Sequence, residues 1–347
     1  VRSFHTRYND WLDSGMKNMP PKLTVSTSTF PSLYKGQCIK FCTDNNTAFI
    51  KVWRNRDWVW QAFRLSGKSR YLGKGKAMSP LLTVKGRQWS LSTPVKIDVP
   101  LKEKNDFSGC VLAVDVGINT AATCAVVDRS GTVVRRVFLD RTDKDRTYRI
   151  MQRIRSKARK ATRHGNRLDR RFCSTEYRRL RNLSNNQAHQ ISRKIVNLAT
   201  ELQCDAIVLE NLKYWRPKAG RKRSNLKMRF HTWFKSMLSE RVEAKAIERG
   251  IRTSYVYARN TSSYAFDGSG KVSRDKDNYA NAKFVTGKYY NADLNAAYNI
   301  ATRGIVKLYY PLLHKQQWSR GRPNACPTTG NPLVLSSLWL LSQQKAG

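Results

Sequence analysis

The sequence predicts a small all-β barrel followed by an α/β domain, and three observations predict it. Between residues 23 and 98, short runs of β-formers follow one another with turn residues between them. From residue 110 onward, apolar runs alternate with amphipathic helical stretches, as in a sheet covered by helices. Two of those apolar runs carry a carboxylate, and a third acid opens a late helix.

In order, residues 1–22 are polar and read as irregular. The opening Val1 is consistent with a non-standard start codon or a missing N-terminal portion. Strand signals follow at Leu23–Phe30, Cys38–Cys42, Thr47–Trp53, Asp57–Leu65, Leu81–Val84, Trp89–Leu91 and Val95–Ile97, split by turns such as Arg54-Asn-Arg56 and Lys85-Gly86. Their short spacing gives the barrel, over 23–104 with the charged linker Val99–Ser108. Trp53, Trp58, Trp60, Phe63 and Trp89 either fill its interior or stack on bases. In the second case Lys51, Arg54, Arg56 and Arg64 hold phosphates.

The α/β domain is expected over 105–303. It starts with Cys110-Val-Leu-Ala-Val-Asp-Val-Gly-Ile-Asn119, a buried strand interrupted by Asp115. An unpaired charge there costs several kcal/mol unless something neutralises it, and hard divalent cations prefer carboxylate oxygens. Ala121–Val127 and Val133–Phe138 form a hairpin through Asp128-Arg-Ser-Gly131. Ala206-Ile-Val-Leu-Glu210 is a second apolar strand ending on an acid, and Asp293 opens Asn291-Ala-Asp-Leu-Asn-Ala-Ala-Tyr-Asn-Ile300. Singly, Glu210 reads as a solvated rim residue and Asp293 as a helix cap. Together the three acids suggest a metal-dependent nuclease site.

Between these acids lie the basic helices, segment 141–203. Residues 141–181 carry 16 Lys/Arg against Asp143, Asp145, Asp169 and Glu176, while Ile150, Ile154, Ala158 and Ala161 recur at helical spacing. A cationic face this lopsided repels itself without a polyanion, so Arg153, Arg155, Arg159, Lys160, Arg163, Arg167, Arg170, Arg171, Arg178 and Arg179 are candidate nucleic-acid contacts, with Trp58 and Trp60. A second helix spans Leu180–Leu202. The Gly/Pro-broken loop Lys213–Lys227 adds Arg221, Lys222 and Arg223. A third helix starts near Phe230 and stops near Gly250, Ile251–Tyr257 is a strand, and Arg259–Tyr290 is a loop-rich insert. A tail, 304–347, closes the chain; its apolar Leu333–Leu341 either packs on the body or stays loose.

Composition narrows the partners. The chain has 65 Lys+Arg against 24 Asp+Glu, a formal net charge of +41, which fits a protein tracking a polyanion over a long path. No 18-residue apolar span is present, so nucleic acid is favoured over a membrane. Seven scattered cysteines without C-x-x-C argue against zinc and for a reducing cytoplasm.

Val114-Asp-Val-Gly-Ile-Asn119, Val208-Leu-Glu-Asn-Leu212 and Asp293-Leu-Asn-Ala-Ala-Tyr-Asn-Ile300 resemble the three RuvC motifs of the TnpB/OrfB family, transposon-encoded relatives of type V CRISPR effector nucleases. The resemblance covers about residues 105–303 and implies an RNase H-like (RuvC) α/β nuclease domain. The front portion is more weakly similar to the family's oligonucleotide-holding wedge. Membership implies an RNA-guided DNA endonuclease, with a transposon-derived guide RNA, double- and single-stranded target DNA, and a short target-flanking motif read by protein. It also implies Mg²⁺ or Mn²⁺ held by Asp115, Glu210 and Asp293 as catalytic acids. Two departures stand out. Thr261-Ser-Ser-Tyr-Ala-Phe-Asp-Gly-Ser-Gly270 stands where the family's zinc ribbon begins, yet no cysteine follows through Asp293. Tyr264, Phe266, Tyr279, Phe284 and Tyr289 are expected to replace the metal. The family's helical insertion in the wedge is also scarcely visible. The rival reading is a truncated relative that binds RNA and DNA without cutting. A guide-independent resolvase-like nuclease or a true transposase fits the front portion less well.

Overall fold

The computed structural model describes residues 2–16, 19–22, 29–42, 46–67, 70–71, 73–85, 87–103, 107–117, 120–169, 171–212, 235–275, 278, 280–319, 325–326 and 332–343. They form two compact units, Val1–Asp98 and Val99–Gly347.

The first unit opens with a helix, α1 (Arg2–Asp13), where an irregular segment was expected. Tyr8, Trp11 and Leu12 fall at i, i+3 and i+4, and the Tyr8 and Trp11 rings sit 5.5 Å apart. Gly15 (φ 73°) ends the helix in the left-handed region. The strands are β1 (Thr29–Ser32), β2 (Ile39–Phe41), β3 (Thr47–Arg54), β4 (Asp57–Arg64), β5 (Lys76–Ala77), β6 (Leu81–Lys85), β7 (Gln88–Ser92) and β8 (Val95–Lys96). The expected barrel resolves, among the described residues, into three separate sheets of order β1-β6-β7, β2-β3-β4 and β5-β8. Closure needs each strand paired on both sides. Here β5 and β8 are two residues long, and β4 pairs among the described residues only with β3 and is exposed along its whole length. Asn55 (φ 52°) and Arg56 (φ 63°) make the tight β3–β4 turn, the two left-handed positions that a two-residue hairpin requires.

The second unit is built on a five-stranded sheet. Its strands are β9 (Cys110–Asp115), β10 (Ala122–Asp128), β11 (Val133–Leu139), β12 (Ala206–Asn211) and β13 (Arg252–Tyr257), in the order β11-β10-β9-β12-β13. β10 is antiparallel to both β9 and β11, whereas β9, β12 and β13 run parallel, making a mixed α/β fold. Its helices are α2 (Lys144–Arg163), α3 (Ser174–Glu201), α4 (Lys235–Ile247), α5 (Ala292–Tyr309), α6 (Pro311–Ser319) and α7 (Ser336–Gln343). β9 and β12 are apolar without alternation because helices cover both faces. On one face Leu112, Val114, Ile207 and Leu209 pack against Ile191 and Ile195 of α3 and Leu238 and Val242 of α4. On the other, Val111, Ala113 and Val208 meet Leu294, Ala297, Ala301 and Ile305 of α5.

Two boundaries differ from expectation. α3 begins at Ser174, six residues before Leu180; its N-cap Cys173 makes no side-chain capping bond, and Glu176 places a negative charge in the first turn, where the helix dipole favours one. At the other end α5 runs straight through residue 303 to Tyr309. The supposed tail belongs to the core: Leu333, Leu335, Leu338 and Leu341 are buried against α5. α2 packs on α3 through Ile150, Met151, Ile154 and Leu180. Among the described residues no helix is long and apolar enough to cross a membrane.

Candidate active site and nucleic-acid interface

β9 and β12 run parallel with Val114 beside Leu209, so one step further along both strands sets Asp115 beside Glu210. Side chains alternate between faces along a strand. Asp115 and Glu210 therefore share the face of Ala113 and Val208, the one α5 covers. That helix carries Asp293 in its first turn. The capping role falls to Asn291 instead, whose side-chain oxygen accepts from the amides of Asp293 (3.0 Å) and Leu294 (2.9 Å). The loop after β9 needs Gly117: a Cβ there would lie 2.6 Å from the Thr120 carbonyl oxygen and 3.9 Å from Asp293 Oδ2.

The three carboxylates feel one another. Burial, and then the charges of Glu210 and Asp293, push the Asp115 carboxyl well above its ordinary value of 3.8. Burial also raises Asp293. Opposing both is the guanidinium of Arg274, on the short insert strand β14 (Ser273–Arg274). Sequence reading missed Arg274, since one arginine in so basic a chain carries no signature. The Cys124 thiol, near Asp115, is pushed up to about 12 chiefly by burial and stays a neutral apolar group.

Among the described residues no three His, Cys, Asp or Glu side chains converge as a ready metal cage. The donor set nonetheless suits a hard divalent cation. The acids offer only oxygen ligands, and their mutual repulsion, which raises Asp115, is what a bound cation would relieve.

Glu210 is also held from the insert side. Thr261 Oγ1 donates to Glu210 Oε1 at 2.6 Å, and Asn295, Asn299 and Arg303 of α5 grip the backbone between Tyr257 and Phe266. The insert's sheet joins β14, β15 (Asn281–Lys283) and β16 (Tyr289–Asn291). Its core is Ala265, Ala282 and Phe284, with Phe266 against the rings of Phe284 (5.7 Å), Tyr290 (4.9 Å) and Tyr298 (5.1 Å). The aromatic expected there, Tyr289, is exposed. Its neighbour Tyr290 packs instead, because adjacent strand residues face opposite ways. Tyr264 is half-buried and contributes its carbonyl; Tyr279 lies outside the described residues.

On the basic helices, Arg153, Arg159, Lys160, Arg163, Arg167, Arg171, Arg178 and Arg179 are exposed and Arg155 is half-buried. Arg170 and the loop residues Arg221, Lys222 and Arg223 lie outside the described residues. Lys157 pairs with Glu176, whose carboxyl is held below its ordinary value by that bond.

In the first unit the tryptophans do not fill an interior. The register Lys51↔Trp60 and Trp53↔Trp58 puts Phe49, Lys51, Trp53, Trp58 and Trp60 on one sheet face, where Trp53 is 59% and Trp58 56% exposed. Lys40 Nζ stands 4.7 Å and Lys51 Nζ 5.9 Å from the Trp60 ring.

The Aq_aa04 family matches residues 1–54. No curated protein matches the chain. Among solved structures, the Cas12f1-sgRNA-target DNA complex is similar at 15% identity and a TM-score of 0.40, over 84% of this chain and 74% of that one. The mini-RNA-guided endonuclease CRISPR-Cas_phi3 is similar at 13% identity and a TM-score of 0.44, over 76% of this chain and 57% of that one. C2c1 of Alicyclobacillus acidoterrestris with single-guide RNA is similar at 11% identity and a TM-score of 0.47, over 87% of this chain and 59% of that one. The chain thus spans about three quarters of the first and under two thirds of the other two. The Cas12f and Cas_phi structures among these neighbours are type V effectors, compact relatives of TnpB.

Proposed function

We propose that this chain is an RNA-guided, divalent-metal-dependent DNA endonuclease of the TnpB/OrfB type, cutting phosphodiesters at an Asp-Glu-Asp site in an RNase H-like (RuvC) frame. The observation that supports the reading is the neighbouring register of Asp115 and Glu210 on the face that α5 covers, with the charges of Glu210 and Asp293 both raising Asp115. Asp115, Glu210 and Asp293 would hold Mg²⁺ or Mn²⁺, which when bound supplies an activated water and neutralises charge on the scissile phosphate. Arg274 adds a positive charge close enough to lower both Asp115 and Asp293. The basic face of α2 and α3 holds nucleic-acid backbone, and the exposed tryptophan face of β3 and β4 stacks bases. Sequence choice then falls to base pairing with the guide.

The test is co-expression of the chain with its native flanking DNA, sequencing of the RNA that co-purifies, and a cleavage assay in Mg²⁺ beside Asp293→Ala. A discrete RNA ending at an element boundary, with cleavage that Asp293→Ala abolishes, is expected. Random cellular RNA and no metal-dependent cutting would favour the binding-only reading.

A further inference from the structure

Glu210 stands at a strand end on a long, flexible side chain, so something must orient it if it is to act. We propose that Thr261 is a positioning residue for Glu210, fixed by an asparagine ladder on the helix that carries Asp293; this rests on reading Glu210 as an acid of the metal site. The Thr261 hydroxyl lies 2.6 Å from Glu210 Oε1, the length of a charge-assisted O–H···O⁻ bond, and 3.0 Å from the Ala258 carbonyl. One hydroxyl has one proton, and the shorter of the two contacts, the one to Glu210 Oε1, is where it points. Thr261 is 4% exposed, so water does not compete for that proton. Its β-branched side chain is stiff at χ1, which makes it a better fixture than a serine.

The loop is anchored in turn by α5. Asn299 Nδ2 donates to the carbonyls of Thr261 (2.9 Å) and Tyr264 (2.9 Å). Asn295 donates to Tyr264 O (2.9 Å) and accepts from Phe266 N (2.8 Å). Arg303 donates to the carbonyls of Tyr257 (2.5 Å) and Arg259 (2.9 Å). Positions 295, 299 and 303 are one stripe at i, i+4 and i+8. The helix that presents Asp293 therefore also sets the Thr261 hydroxyl, and through it the aim of Glu210. These asparagines act as clamps on the loop, two residues or more away from the acid they follow.

The full chain with its co-purified RNA is compared as Thr261→Val, which keeps the shape and loses the donor, Thr261→Cys, which weakens the donor, and Thr261→Ser, which keeps it. Glu210→Gln is the control. Mn²⁺ binding is followed by electron paramagnetic resonance, alongside single-turnover cleavage, DNA affinity and thermal melting. Removing a partner that orients a metal ligand typically costs about 10- to 100-fold in metal affinity or activity. Thr261→Val and Thr261→Cys are expected to lose that much in Mn²⁺ affinity and cleavage rate with unchanged DNA affinity, while Thr261→Ser stays within about threefold of the parent. If Thr261→Val does not fold, the comparison of cysteine with serine carries the test. Equal Mn²⁺ affinity and rate in the donor-less and donor-bearing variants would overturn the proposal. Glu210→Gln binding Mn²⁺ as tightly as the parent would show instead that the acid-site reading beneath it is wrong.

Discussion

Gly304→Ala tests the approach of α5 to the sheet. Gly304 is buried, and a Cβ built on it would lie 2.4 Å from Val208 Cγ2, 2.7 Å from Cγ1 and 3.1 Å from Cβ. The nearest of these is about 1 Å inside ordinary carbon contact, so either the valine or the helix must move. Overpacking of this kind costs about 1–3 kcal/mol. Alanine in a helix interior returns about 0.5–1 kcal/mol over glycine. The net is a loss of about 1 kcal/mol within a span of about 0–2.5 kcal/mol, or a fall of up to roughly 10 °C in the melting of a unit this size. Thermal and urea unfolding of the parent, Gly304→Ala, Val208→Ala and the double variant form a cycle. If the clash is the cause, the double variant recovers at least about 1 kcal/mol relative to the sum of the singles. Cleavage should fall further than stability in Gly304→Ala, because Val208 lies two residues from Glu210 and α5 carries Asp293. Strict additivity in the cycle would refute the close-packing argument.

Asp115→Asn should abolish cleavage while stabilising the metal-free protein at neutral pH. With its pKa raised, folded Asp115 holds protons that the unfolded chain releases, so this contribution is full below pH 3.8 and is lost as pH rises through the raised value. The variant's melting advantage in EDTA should therefore shrink as pH falls from 7 toward 4; a parent that melts higher than the variant at pH 7 without metal would contradict it. Neutralising Arg171, Arg178 and Arg179 together should weaken RNA binding and flatten its salt dependence by about 0.9 logarithmic units of slope per lost phosphate contact, read from titrations at several salt concentrations. Trp58→Ala with Trp60→Ala should cost about 1–3 kcal/mol per stacked base in single-strand affinity, and an unquenched tryptophan emission on adding oligonucleotide would argue against stacking.

Much of the second unit was legible because a carboxylate in an apolar run is an anomaly that a sequence displays openly. Asp115 and Glu210 stand out on that ground, and the strand spacing around them sets both on one face. What stayed hidden depends on tertiary neighbours. Nothing local distinguishes Tyr289 from Tyr290 until the register of β16 is fixed. Arg274 is one cation among many, and the hydrogen bonds of Asn295 and Asn299 run to a loop some thirty residues earlier. The tryptophans of β3 and β4 illustrate the same limit. Their alternation fits a filled barrel and an open face equally, and only the exposure of β4 along its whole length decides between them.

An acid stands near each end of β12, and the one at its start has a consequence for the other. Asp205, just before the strand, is fully buried and accepts from Lys102 Nζ (2.5 Å), the amides of Ser108 (2.8 Å) and Gly109 (2.7 Å), and the Tyr309 hydroxyl (2.6 Å). Those donors outweigh its burial and hold its carboxyl below the ordinary value. They also come from two segments far apart in the chain, the entry to β9 and the last turn of α5. A slip of β12 by a single residue would strip this carboxylate of its partners and turn Glu210 to the opposite face. Asp205 is thus a register lock, a charge spent on keeping another charge pointing the right way.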